Sequence, residues 1–187
     1  SRSASTINCY VSGISSVLQA CVELWGWLES NPCRYLRRLP LNNARVRFLS
    51  AEEQLRLLAA CCSDQNLKDV VLLALLTGAR RGEICELRWR DMDLKDSLVT
   101  FPNTKNGETR TIPLAQEALD LLRRRLLERR PGKEDRVFPA EKSEGPIDVS
   151  HRFPRLCLLT GIQDFRFHDL RHSAASALAG AGVSETK

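Results

Sequence analysis

Phe167-His168-Asp169-Leu170-Arg171-His172 sets an imidazole and a guanidinium three residues apart at the start of a helical pattern. Residues three apart share a helix face, so His168 and Arg171 can reach one target together. The free N–H groups and partial positive charge of a helix N-terminus suit an anion, and phosphate is the natural one. Alone the pair is weak evidence, because histidine and arginine are common on solvated helix faces. Two further stretches strengthen it. Thr77-Gly78-Ala79-Arg80-Arg81-Gly82-Glu83 puts an arginine at a glycine turn just after an apolar helix. Thr104-Lys105-Asn106-Gly107 puts a lysine on a hairpin tip. Cleavage of a phosphodiester adds negative charge to its non-bridging oxygens, and guanidinium forks supply paired donors that stay charged.

The elements that must hold these residues follow from periodicity. Ile7, Val11, Ile14, Val17, Leu18, Cys21, Leu24 and Trp25 recur at helical spacing after a Ser5-Thr6 cap. Trp27 and Leu28 close that helix before Asn31-Pro32. One such helix cannot bury its apolar stripe alone, so it reads as the last helix of an N-terminal domain; the alternative is a first helix of the main domain. Pro32, Pro40 and Asn42-Asn43 then mark a connector. Ser50-Ala51-Glu52-Glu53 is a capping box. A helix over residues 65–77 is apolar nearly all round from 70 to 76 and predicts a buried position. Gly78 ends it, and Arg80-Arg81 opens a short helix through Leu87. Leu98-Val99-Thr100-Phe101 and Thr109-Arg110-Thr111-Ile112-Pro113 flank an Asn-Gly hairpin signal. Helices follow over 114–130, about 148–159 and 168–179, with a brief extended piece at Val137-Phe138-Pro139. Residues 183–187 look like the first turn of another helix.

Bulk properties narrow the function classes. The 187 residues are 43% hydrophobic and 27% charged, as in an ordinary globular chain. No apolar run is long enough to span a membrane, and no signal-peptide pattern opens the sequence. Ser1 stands in place of an initiator Met, so the chain is expected to begin inside a longer protein. The net charge of +5 leans toward a polyanionic partner. Arg34, Arg37, Arg38, Arg45 and Arg47 fall in the connector with no acid among them, which suits tracking along phosphates. A second cluster, Arg123-Arg124-Arg125 with Arg129-Arg130, reads as a solvated helix face. The seven cysteines form no CxxC pair and read as reduced, mostly buried small side chains.

The order, spacing and surroundings of the three chemical pieces resemble the tyrosine recombinase (phage integrase) family. The likeness runs through Leu75-Leu76-Thr77-Gly78-Ala79-Arg80-Arg81-Gly82-Glu83-Ile84 and Leu87-Arg88-Trp89-Arg90-Asp91-Met92-Asp93. It continues through Thr104-Lys105, Arg110-Thr111-Ile112-Pro113-Leu114 and His168-Asp169-Leu170-Arg171-His172-Ser173-Ala174-Ala175. Together these cover nearly all of residues 48–187. The resemblance implies a mainly α fold with a small antiparallel β-sheet, an integrase-type α+β catalytic domain over 49–187. Before it come a basic linker over 32–48 and, over 1–31, the C-terminal helix of an incomplete core-binding (SAM-like) domain.

The resemblance also implies roles. Arg80 and Arg171 match the phosphate clamp, and Lys105 matches the general acid that protonates the leaving 5′ oxygen. His168 matches the histidine that hydrogen-bonds the phosphate and assists proton transfer. Arg81 joins the linker arginines as a DNA-backbone contact. No cofactor and no metal are expected, since positive side chains do that work. The implied activity is site-specific recombination of double-stranded DNA through a 3′-phosphotyrosine intermediate, by a homotetramer on DNA. Such a protein is expected in the cytoplasm of a bacterium, nucleoid-associated, and encoded by the host or a phage. One departure matters. The family's nucleophile is a tyrosine downstream of His168-x-x-Arg171, but the only two tyrosines here are Tyr10 and Tyr35. The chain itself is therefore expected to be cleavage-inactive and monomeric. The rivals are a topoisomerase IB-like nicking-closing enzyme and a non-catalytic DNA-binding or regulatory module.

Overall fold

The computed structural model describes residues 2–41, 47–102, 109–141 and 145–180, with 178–180 as backbone alone. The chain divides into two compact units, Ser1–Arg45 and Val46–Lys187. No helix among the described residues is long and apolar enough to cross a membrane.

In the first unit, helix α1 spans Ala4–Glu23, capped by Ser3, whose side chain accepts the Thr6 N–H at 3.2 Å. The cap lies two residues before the expected Ser5-Thr6. The helix also stops short of Trp27, because the chain turns at Gly26 with φ +62°. Trp25 and Trp27 stack outside it, ring centroids 4.8 Å apart. Two asparagine amides pin the following segment to α1. Asn8 donates to Leu39 O and accepts from Leu39 N, both at 2.9 Å. Asn31 donates to Ser15 O at 2.9 Å and to Gln19 Oε1 at 3.0 Å. These amides cover part of the helix, yet Tyr10, Ile14 and Val17 stay more than half exposed. Val11, Leu18 and Cys21 of the same stripe are half-buried.

The second unit builds its core on α3, Gln65–Thr77, whose Leu67, Val70, Val71, Leu73 and Ala74 are buried. Asp64 caps it, accepting Leu67 N–H at 3.0 Å. Around it lie α2 (Ala51–Ala60), α4 (Arg81–Glu86), α5 (Gln116–Arg129), α6 (Arg152–Leu159) and α7 (Asp169–Gly180). Helices α2, α4, α5 and α7 pack on α3, and α6 packs on α2. The Ser50–Glu53 capping box forms as the sequence predicts. Strands β1 (Met92–Asp93), β2 (Leu98–Phe101) and β3 (Arg110–Pro113) make an antiparallel sheet in the order β1-β2-β3. Val99 pairs with Ile112 and Phe101 with Arg110. The short β1 went unpredicted because two residues carry no alternation to read. The fold is mainly helical with a small antiparallel sheet, as the sequence led one to expect.

Two expectations are corrected. Arg125 is not on a solvated face: it is 2% exposed and donates to Asp69 Oδ2 at 2.7 Å and Val137 O at 2.9 Å. Arg124 takes both oxygens of the same carboxylate, at 2.7 and 2.8 Å. The triple arginine looks polar in sequence, but α5 turns one of its members inward to an acid on α3. Among the cysteines only Cys61, Cys85 and Cys157 are buried, while Cys9 and Cys62 are exposed. Burial pushes the three buried thiols up to about 11, so they stay protonated.

Arg47 meets the Glu53 carboxylate with both terminal nitrogens. That hydrogen bonding, then the Ser50 N–H, lowers the Glu53 pKa from 4.5 to about 2. A depressed carboxyl stabilises the fold above its unfolded pKa, and the benefit fades as pH falls from about 4.5 toward 2. Glu53→Gln should lower the melting temperature at pH 6 by about 2–4 °C, on the order of 1 kcal/mol after solvent screening. Thermal melts as a function of pH should show the two proteins converging near pH 2.

Candidate active site

The site is assembled where the C-terminus of α3 meets α7. Gly78 caps α3 in the left-handed region, φ +60°, a conformation that glycine adopts without strain. Thr77 Oγ donates back to Leu73 O at 2.6 Å and accepts the Ala79 N–H at 3.2 Å, which steadies the turn. A Cβ on Gly78 would stand 3.6 Å from Ala174 Cβ and 3.9 Å from Arg171 Cγ. The helices are therefore in close contact here. The carbonyl so presented accepts Arg171 Nη1 at 2.6 Å, anchoring that guanidinium by one edge.

Beyond the turn the chain enters α4 at Arg80. The Arg80 N–H donates to Glu83 Oε2 at 2.9 Å, and Arg80 Nη1 donates to Glu83 Oε1 at 2.7 Å. Glu83 thus caps α4 and holds the arginine side chain at once. From β3, Arg110 Nη2 reaches the same carboxylate at 3.0 Å. Burial raises the Glu83 pKa, but the hydrogen bonds from Arg80 and the charges of Arg110 and Arg80 outweigh it. The net shift is downward, so the carboxylate stays ionised. Arg171 is shifted down, first by burial, then by the like charges of Arg110 and Arg80, and Glu83 opposes this. Three guanidinium groups and one carboxylate therefore share one electrostatic neighbourhood.

At the start of α7, Asp169 caps its own turn, accepting the Arg166 N–H at 2.8 Å. Phe167 and Leu170 are buried, and Phe167 meets Phe153 edge-on at 5.1 Å. This anchoring leaves His168 exposed, one turn before Arg171, whose N–H donates to His168 O at 3.2 Å. The His168 and His172 rings sit edge-to-face, centroids 5.5 Å apart.

The structure thus brings Arg80 and Arg171 into one neighbourhood and sets His168 in the turn that opens the helix of Arg171. Lys105 and Arg45 lie outside the described residues. Arg34, Arg37, Arg38 and Arg81 are exposed, and Arg81 Nη1 donates to Ser150 Oγ at 3.0 Å. Arg47 is half-buried, on Glu53 and 5.8 Å from the Phe165 ring centroid. Sequence reasoning missed Arg110 as a residue of this site. The available signal for Arg110 was a charged residue within an otherwise β-branched strand, opposite Phe101.

Comparison with known proteins follows the same lines. A shufflon-specific DNA recombinase of Escherichia coli is 31% identical over 173 residues, 91% of this chain and 43% of its own length. The integrase of Salmonella phage P22 is 31% identical over 189 residues, covering 93% of this chain and 47% of its own length. The chain thus spans less than half the length of these two relatives. A lambda integrase dimer bound to a COC′ core site shares the fold, with a TM-score of 0.75 and 24% identity. That match covers 95% of this chain and 68% of the other. The phage integrase family model matches residues 47–187. A match over three-quarters of the sequence, on a fold of the same kind, makes this chain a member of the phage integrase family.

Proposed function

We propose that the whole protein is a site-specific DNA recombinase that cuts and rejoins strands through a 3′-phosphotyrosine intermediate. The observation that carries this is the convergence of Arg80 and Arg171, one fixed by Glu83 and the other by Gly78 O. Held by one edge, each guanidinium keeps other N–H groups for the non-bridging oxygens of a scissile phosphate. Donors fixed in advance lose little on reaction, so they favour the charge-rich transition state over the ground state.

In this reading His168 hydrogen-bonds the same phosphate and assists proton transfer, and Lys105 protonates the leaving 5′ oxygen. Arg34, Arg37, Arg38, Arg45, Arg47 and Arg81 contact the duplex backbone, Arg47 with the face that Glu53 leaves free. Residues 1–31 belong to a core-binding domain, 32–48 form the linker and 49–187 belong to the catalytic domain. Four copies act together on paired sites, in the cytoplasm and on the nucleoid. The attacking tyrosine is not among the residues of this chain.

The test uses the whole protein on nicked suicide DNA carrying its cognate site, where loss of a short strand traps the covalent intermediate. A protein–DNA adduct with a 3′-phosphotyrosyl bond is expected. Tight, specific binding with no adduct would sink the enzymatic reading in favour of a DNA-binding module.

A further inference from the structure

Glu83 serves two masters in this site. Its side chain is 9% exposed and takes Arg80 on one oxygen at 2.7 Å and Arg110 on the other at 3.0 Å. Arg110 is anchored on its own side as well. It sits across from Phe101 in the β2–β3 pair, with its guanidinium carbon 5.5 Å from that ring's centroid. Its Nε is buried and has no hydrogen-bond partner among the described residues. Burying an unpaired donor is unfavourable, which offsets part of what the ion pair with Glu83 and the contact with Phe101 contribute to the fold.

Charge arithmetic supplies a further reason for the placement. Arg80 with Glu83 alone is neutral, and adding Arg171 gives a site of +1. With Arg110 on the same carboxylate the group carries three positive charges and one negative, a net of +2. We propose that Arg110 is a positioning residue for the phosphate site, sharing Glu83 so that the carboxylate holds Arg80 in place without neutralising it. Arg110 need not touch the phosphate to do this. A carboxylate bound on both oxygens also cannot swing away from Arg80. The inference rests on reading Arg80 and Arg171 as a phosphate clamp.

The test can be made on this chain with inorganic phosphate as the probe. The side-chain Nε–H signals of Arg80 and Arg171 in nitrogen-15 NMR, assigned through Arg80→Lys and Arg171→Lys, report binding during a phosphate titration. Arg110→Gln should weaken binding about five- to tenfold at low salt, and the difference should shrink as salt screens it. Arg110→Lys should return affinity to within about twofold, because it restores the charge. If Arg110→Gln proves poorly folded by thermal melting, Arg110→Met, which keeps the aliphatic packing against Phe101, carries the test with the same weakening expected. Wild-type affinity in a folded neutral variant, or no recovery in Arg110→Lys, would overturn the proposal and leave the clamp intact. No response of Arg80 and Arg171 to phosphate in the wild type would remove the clamp reading and the proposal with it.

Discussion

Arg171→Ala in the whole protein is expected to slow covalent adduct formation on cognate DNA by about 10²–10³-fold. Duplex affinity should stay within roughly threefold, because many phosphate contacts share the binding and only one is lost. The asymmetry follows from the geometry. Gly78 O takes one edge of the guanidinium at 2.6 Å, and the rest of the fork is what the transition state would use. Arg171→Lys separates the two functions. Lysine can still reach the carbonyl and keeps the charge, but it lacks the planar pair of donors. It should therefore melt close to wild type and still cleave at least tenfold more slowly. Suicide-substrate trapping, set beside a gel-shift titration, reads both quantities. An Arg171→Lys protein that cleaves at the wild-type rate would show that charge alone suffices.

Asp69→Leu should destabilise the chain by about 3–5 kcal/mol, because it removes the partner of a buried charge. Asp69 is 1% exposed, and its carboxylate is the anion for both Arg124 and Arg125. The two arginines depend on it unequally. Hydrogen bonding to Asp69 raises the Arg124 pKa, whereas burial lowers that of Arg125 and Asp69 only partly offsets it. Arg124 is 37% exposed on its side chain and has Glu128 to fall back on. Arg125 would be left as an unpaired charge in the core, among Asn66, Val137 O and the Phe138 ring. Adding Arg125→Met to Asp69→Leu removes that charge and should recover at least half of the loss. Urea unfolding of the single and double variants measures the difference. Equal midpoints for the two would mean that the cost of Asp69→Leu lies in packing rather than in the stranded guanidinium.

These two sites also show what a sequence does and does not reveal. Helix α3 was readable because its apolar run is continuous and Gly78 must stop it. Helix α7 was readable through Phe167, Leu170 and Ala174, whose spacing sets one buried face. Arg80, His168 and Arg171 sit at the ends of those elements, and it was the family resemblance that implied their neighbourhood. The pairing of Arg110 with Glu83, 27 residues apart, could not be anticipated. Nor could that of Arg125 with Asp69, 56 residues apart. Such pairs depend on how two elements are rotated against each other, and periodicity states only that each has an inner face. The end of α1 was misplaced because Leu24, Trp25, Trp27 and Leu28 continue an apolar pattern that Gly26 breaks in the backbone.

The bond between Arg171 and Gly78 O joins residues 93 apart, and Leu49 N–H donates to Ser173 Oγ across 124 residues. Contacts of such separation close long loops, and their entropic cost is recovered only when the intervening chain is already packed. Helix α7 is therefore expected to lock late as the chain folds, and pulse-labelled hydrogen exchange should show its amides protected after those of α3. Before that point Arg171 would have no fixed relation to Arg80. Until then the same arginine charges are displayed, but not as a preorganised pair.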